Sequence, residues 1–133
     1  MATRREARRL AVSILYQADL AGRPPEEVLE ERRSLGDRVP GFAEDLIRGV
    51  AEHRGELDRL IGDHAEGWTV PRMAGVDRAV LRVACYEMLF REDVPTAVAI
   101  DEAVATAKEL STANSGRFVN GVLGRIARER AEA

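Results

Sequence analysis

Residues 76–90 read VDRAVLRVACYEMLF. Wound at about 100° per residue, Val76, Val80, Leu81, Val83, Ala84, Cys85, Met88, Leu89 and Phe90 cover most of a helix circumference. A helix apolar nearly all round is a central one, wrapped by other helices. Asp77, Arg78 and Arg82 form its narrow polar edge. Asp101 or Glu102 of the next segment offers Arg78 and Arg82 partners, and Glu87 with Arg91 has the i, i+4 spacing of an ion pair. Glu87 shares the Val76/Val80 face, so its carboxylate is expected to be buried and hydrogen-bonded. Asp93, Val94 and Pro95 end the segment.

The segments on either side also read as helices. No stretch alternates β-branched and aromatic residues as a strand does. Thr3 is an N-cap and Gly22 a stop for a first helix ending near Ala21. Pro24 and Pro25 open a short second helix carrying Val28, Leu29 and Leu35. Residues 36–41 form a loop. A longer helix then carries Phe42, Leu46, Ile47, Val50, Leu57, Leu60 and Ile61. Its two glycines, Gly49 and Gly55, each cost about 1 kcal/mol in a helix and are expected to mark close packing. Residues 62–75 are punctuated by glycines and Pro71 and hold the only tryptophan, Trp68. Thr96 caps a helix with Ile100, Ala103, Val104 and Ala107 inside. After a polar stretch, a last helix buries Phe118, Val119, Val122, Leu123 and Ile126. Its charged tail from Arg128 is expected to fray. The expectation is an all-α fold, a compact bundle of about seven helices. It forms one domain over residues 1–133, with helical subdomains at 1–66 and 67–133.

Composition narrows the function. The 133 residues are 45% hydrophobic and 32% charged, which suits a soluble globular domain. No apolar run is long enough to span a membrane, and the basic N-terminus lacks the apolar region of a secretory signal. The single cysteine, Cys85, sits in an apolar run, as expected of a buried thiol in a reducing cytoplasm. Two histidines, His53 and His64, are too few for most metal sites, and no metal or cofactor is expected. No Walker motif, nucleophile elbow or Cys–His pairing occurs, so the chain does not read as an enzyme.

The net charge of −3 conceals an asymmetry. Residues 1–18 carry four arginines against Glu6, net +3. Residues 19–66 carry 7 basic and 13 acidic side chains, net −6, and residues 67–133 carry 9 of each. Basic charge is therefore local, on the first helix: Arg4, Arg5, Arg8 and Arg9. Ala7, Leu10, Ala11, Ile14, Leu15 and Ala18 make the buried stripe of that helix. Arg5, Arg9 and Tyr16 fall on the opposite face, with Arg8 on its edge. Guanidinium groups beside an aromatic ring suit the phosphates and bases of single-stranded RNA.

A third constellation is Asn114-Ser115-Gly116-Arg117-Phe118-Val119-Asn120-Gly121. Ser115 or Asn114 is placed to cap the last helix, with Arg117 and Phe118 in its first turn. Asn120-Gly121 lies inside a helical stripe, where it is expected to mark close packing and a buried amide.

Together these segments resemble the NusB family of bacterial transcription antitermination factors. The resemblance is carried by the N-terminal arginines leading into Ala11-Val12-Ser13-Ile14-Leu15-Tyr16-Gln17 and by the central stretch Asp77–Met88. It continues through Val94-Pro95, Val98–Val104, Ala107-Lys108 and Phe118-Val119-Asn120-Gly121-Val122-Leu123. It implies a non-enzymatic cytoplasmic factor that binds boxA RNA of ribosomal RNA leaders. The implied partner is the ribosomal small-subunit protein also called NusE. Through other Nus factors the complex joins the RNA polymerase elongation complex and supports processive rRNA transcription. Carried over by position, the RNA-binding residues are Arg4, Arg5, Arg8, Arg9, Tyr16, Arg82, Asn114, Arg117 and Phe118. Asp77 falls where the family meets the ribosomal protein.

Two departures stand out against the resemblance. Glu6 interrupts the arginine run where relatives often have a basic residue, which weakens RNA binding. Asn114 stands where many have an acidic one, which favours it. Two other readings compete. One is the RNA-binding part of an rRNA cytosine methyltransferase, for which a Rossmann-like catalytic domain has no room in 133 residues. The other is a helical scaffold forming a homodimer through the arginine face and the acidic region 19–66.

Overall fold

The computed structural model describes residues 2–132, and every described helix is α apart from one short turn. The helices are α1 (Arg4–Ala21), α2 (Pro25–Ser34), α3 (Gly41–His64), α4 (Gly75–Phe90), α5 (Thr96–Leu110) and α6 (Ala113–Glu132). Among the described residues there are six, not about seven, and the glycine- and proline-rich stretch before α4 supplies a 3-10 turn, Val70–Arg72. The tail of α6, expected to fray from Arg128, stays helical to Glu132.

Local chemistry sets the ends of α1. Thr3 Oγ1 accepts a hydrogen bond from the Glu6 backbone N–H at 3.1 Å, and Gly22 closes the helix with φ 65°. α2 opens with proline in its first turn, where no intrahelical N–H is needed.

α4 is the axis of the bundle. Every residue from Ala79 to Glu87 is buried, and α1, α3, α5 and α6 all pack on it. One continuous core cluster draws on all six helices, with Ile14, Leu29, Leu46, Leu57, Leu81, Leu123 and Ile126 fully buried within it. Each such side chain stabilises the fold by about 1.5–3 kcal/mol relative to exposure. Burial of Cys85 pushes its thiol up to about 12, so it stays an inert packing group.

The two glycines of α3 differ. A Cβ on Gly49 would lie 2.1 Å from the Tyr86 ring, so Gly49 is where α3 and α4 close up. Gly55, expected to do the same, faces open space. Four residues beyond Gly49, α3 kinks at His53 (φ −106°, ψ 16°). The Asn120-Gly121 expectation also changes. Asn120 is exposed, and a Cβ on Gly121 would meet only Arg125, at an ordinary 3.7 Å.

Candidate nucleic-acid interface

α1 runs antiparallel to α4, so its arginines meet the far end of α4 and the face of α5. All four guanidinium groups have carboxylate partners. Arg4 pairs with Asp93 at 2.6 Å, Arg5 with Glu102 at 2.7 Å, and Arg9 with Glu109. Arg8 departs from its expected place on the edge of a solvent face. It is 6% exposed and donates from Nε to both oxygens of Glu87 at 3.0 Å and from Nη2 to Oε1 at 2.7 Å. Glu87 is buried as expected, but its partner is Arg8 and not Arg91. Arg91 instead reaches Asp45 at 2.9 Å and Asp93 at 2.8 Å.

The carboxylates respond to this company. The Arg91 hydrogen bond, then that of Arg4, holds Asp93 down to about 2. The Arg5 hydrogen bond lowers Glu102 against its partial burial. Arg4 also lies over the Phe42 ring at 4.3 Å, with Arg91 at 4.7 Å and Arg8 at 5.1 Å. Arg4 and Arg5 remain about half exposed, at 48% and 57% of their side chains. Solvent screens charges as exposed as these guanidiniums, so each can exchange its carboxylate for a phosphate at little cost.

The other end of α1 lies beside the start of α4. Tyr16 is half-buried, its ring seated on Gly75 so closely that a Cβ there would lie 2.7 Å away. Neither Arg78 nor Arg82 meets the acids of α5, because those lie on the opposite flank of α4. Arg82 is buried and grips Asp58 of α3 with bonds of 2.8 and 2.9 Å. Arg78 takes Asp19 of α1 at 2.7 Å and the carbonyls of Val70, Pro71 and Met73. Burial pushes the Asp19 carboxyl up, but the Arg78 bond and the charges of Arg78, Arg82 and Arg54 outweigh it and leave it lowered.

At the start of α6, the cap is Thr112 rather than Ser115 or Asn114: its Oγ1 accepts from the Ser115 N–H at 3.1 Å. Asn114 and Arg117 are exposed and bonded to each other, Nη2 of Arg117 donating to Oδ1 of Asn114. Phe118 is half-buried on the same turn. Lys108 of α5 folds over Gly116, and its neighbour Glu109 holds Arg9. The last turn of α5 thus links the arginine helix to the first turn of α6.

Phe118, Asn114 and Asp77 line one cavity of about 250 Å3, together with Trp68, Met73, Ala74 and Ser115. Asp77 is 8% exposed, and its Oδ1 has no hydrogen-bond partner. Burial raises its carboxyl above the ordinary value. Trp68 meets the Phe118 ring edge-on at 6.2 Å between centroids. It was not among the residues expected at the site; the one available signal was a lone tryptophan in a glycine-punctuated segment.

Among the described residues no helix is long and apolar enough to cross a membrane. The NusB family model matches residues 5–128. The transcription antitermination protein NusB of Saccharopolyspora erythraea is 52% identical over 130 residues, covering 96% of this chain and 88% of that one. The NusB protein of Symbiobacterium thermophilum is 48% identical over 95% of this chain and 90% of its own length. Among solved structures, T. maritima NusB superposes with a TM-score of 0.82 at 43% identity, over 97% of this chain and 94% of that one. A crystal structure of the antitermination factors NusB and NusE with double-stranded RNA gives 0.83 at 28% identity, over 95% and 96%. Agreement over nearly the whole length, in sequence and in fold, places the chain in the NusB family of transcription antitermination proteins.

Proposed function

We propose that this chain binds boxA-type single-stranded RNA of ribosomal RNA leaders together with the ribosomal protein NusE. In this reading the complex acts in the cytoplasm. It joins the elongating RNA polymerase through other Nus factors and supports processive rRNA transcription. One observation carries the reading: exposed guanidiniums and a half-exposed ring lie on a surface linked through the last turn of α5. Arg4, Arg5, Arg9 and Arg117 take phosphates, while Tyr16 and Phe118 offer ring faces or edges to bases. Arg8 and Arg82 belong to the site by position, but their guanidiniums are committed to Glu87 and Asp58, so they hold the surface in shape. Asn114 keeps the Arg117 charge unneutralised. Asp77 faces the ribosomal protein, lining the cavity it shares with Asn114 and Phe118. The solved relative, NusB and NusE in complex with double-stranded RNA, supports NusE and RNA as the classes of partner.

The test uses a labelled boxA-like single strand, a scrambled strand and the corresponding duplex. Each is titrated with and without NusE across a salt series. The reading expects preference for the boxA strand, tighter binding with NusE, and a salt slope that counts the phosphate contacts. Equal binding to the boxA and scrambled strands, or none with NusE present, overturns it.

A further inference from the structure

Trp68 is 52% exposed although it is the largest side chain in the protein. It does not dangle. Gly67, at φ 76°, turns the chain, and the Trp68 N–H donates to the Ala65 carbonyl at 3.1 Å. The fold therefore holds a large aromatic face toward solvent, which is costly unless something covers it.

What lies on each side of the ring says what that is. On one side is the Phe118 cavity, whose 250 Å3 falls below the ~300–1,000 Å3 of a small-molecule site. On the other is an open groove of about 590 Å3. Its charged lining is Arg54, Arg59, Arg78 and Arg82 against Asp19 and Asp58, four cations to two anions. Arg78 and Arg82 are held by those carboxylates. Arg54 makes longer contacts with them, at 3.3 and 3.8 Å. Arg59 is exposed and forms no ion pair among the described residues. A flat aromatic between a pocket and a cation-rich trough is the arrangement that tracks a single nucleic-acid strand: bases stack on rings, and phosphates follow the charge. The excess of cations over anions in its lining favours an anionic strand over a neutral protein segment.

We propose that Trp68 is a base-stacking platform and Arg59 a phosphate contact, together carrying the RNA strand from the Phe118 cavity into the groove between α3 and α4. The proposal rests on the RNA-binding reading above and extends the RNA path beyond α1 and α6. The base on Trp68 need not be a particular one, because every base offers a π face. The contribution is therefore to affinity and path, with sequence read elsewhere.

Trp68 is the only tryptophan of the chain, so its fluorescence reports the ring directly. The complex with NusE is titrated with the boxA-like strand, using the same complex carrying Trp68→Phe as the blank. Stacking quenches the Trp68 emission along the same binding curve that the labelled RNA traces. Trp68→Ala then weakens binding about tenfold, within the range for loss of one stacked base. Arg59→Ala lowers the salt slope by about one. RNA that binds without quenching Trp68 overturns this inference and leaves the antitermination reading intact. Quenching on addition of NusE, with none on addition of RNA, overturns it and gives the ring to the protein partner. Failure of the RNA to bind at all removes both readings.

Discussion

Arg8 and Glu87, 79 positions apart, form a buried ion pair in which three hydrogen bonds of 2.7–3.0 Å tie the start of α1 to the last turn of α4. Both side chains are nearly inaccessible, at 7% and 1%. Removing one partner strands a buried charge, a loss of about 3–5 kcal/mol. Arg8→Ala and Glu87→Ala should each lower the urea midpoint by that equivalent. Arg8→Met combined with Glu87→Leu should restore much of it, because paired apolar replacements leave no orphan charge. A double variant as unstable as the singles would show that the pair contributes more than mutual neutralisation.

Gly49 and Gly55 make a matched pair on one helix. A Cβ at position 49 would enter the Tyr86 ring, whereas one at 55 would meet nothing within 4 Å. Gly49→Ala should therefore destabilise by about 1–3 kcal/mol through overpacking. Gly55→Ala should stabilise by about 0.5–1 kcal/mol, since alanine is the better helix former. Thermal melts of the two variants decide this, and the same sign in both would refute the packing argument.

His64 gives a pH signature. Burial pushes its imidazole down, but the Leu60 carbonyl and Glu129 together outweigh that and leave it raised. A raised histidine stabilises fully below its unfolded value, near pH 6.5, and the gain is lost as pH rises through the folded value. Glu129 is well exposed at 70%, so its share is at most about 1 kcal/mol. Wild type should exceed Glu129→Gln in stability at pH 5.5 and match it at pH 9. NMR titration should find the His64 value lower in the variant. A stability difference independent of pH would mean that the contact works by packing alone.

The fold was largely legible because α4 announces itself. Fifteen residues without an amphipathic break must be central, and the flanking stripes supply what surrounds them. The count of about seven exceeds the six apolar stripes that the sequence displays, and the glycine- and proline-punctuated segment at 62–75 adds only a 3-10 turn to the six helices. The site was harder to read. Helical phase put Arg8 at an edge, but only the tertiary fold decides that the edge faces Glu87. In the same way, Arg82 and Asp58 lie 24 positions apart, and spacing along α4 offered α5 as the nearer source of acid. Partner choice among many arginines and carboxylates depends on which helices lie side by side. Trp68 was visible as a residue, but nothing local to it said that its ring would stand exposed between two cavities.

Carboxylates already occupy the arginines of α1, and this bears on RNA affinity. A phosphate reaching Arg9 must displace Glu109, and one reaching Arg117 displaces only a neutral Asn114. Glu109→Gln should therefore raise affinity for the boxA-like strand several-fold at low salt, and added salt should erase the gain. Asn114→Asp should act the opposite way, because it places a competing charge against Arg117. Glu6→Arg adds a cation but removes a carboxylate that the Thr3 hydroxyl meets at 3.1 Å, so any gain in RNA binding should come with a small loss of helix stability. The three variants, compared at matched salt, separate charge from architecture. If the Glu109 and Asn114 variants bind as the parent does, the guanidiniums of Arg9 and Arg117 do not meet RNA, and the path must be sought along the groove beside Trp68.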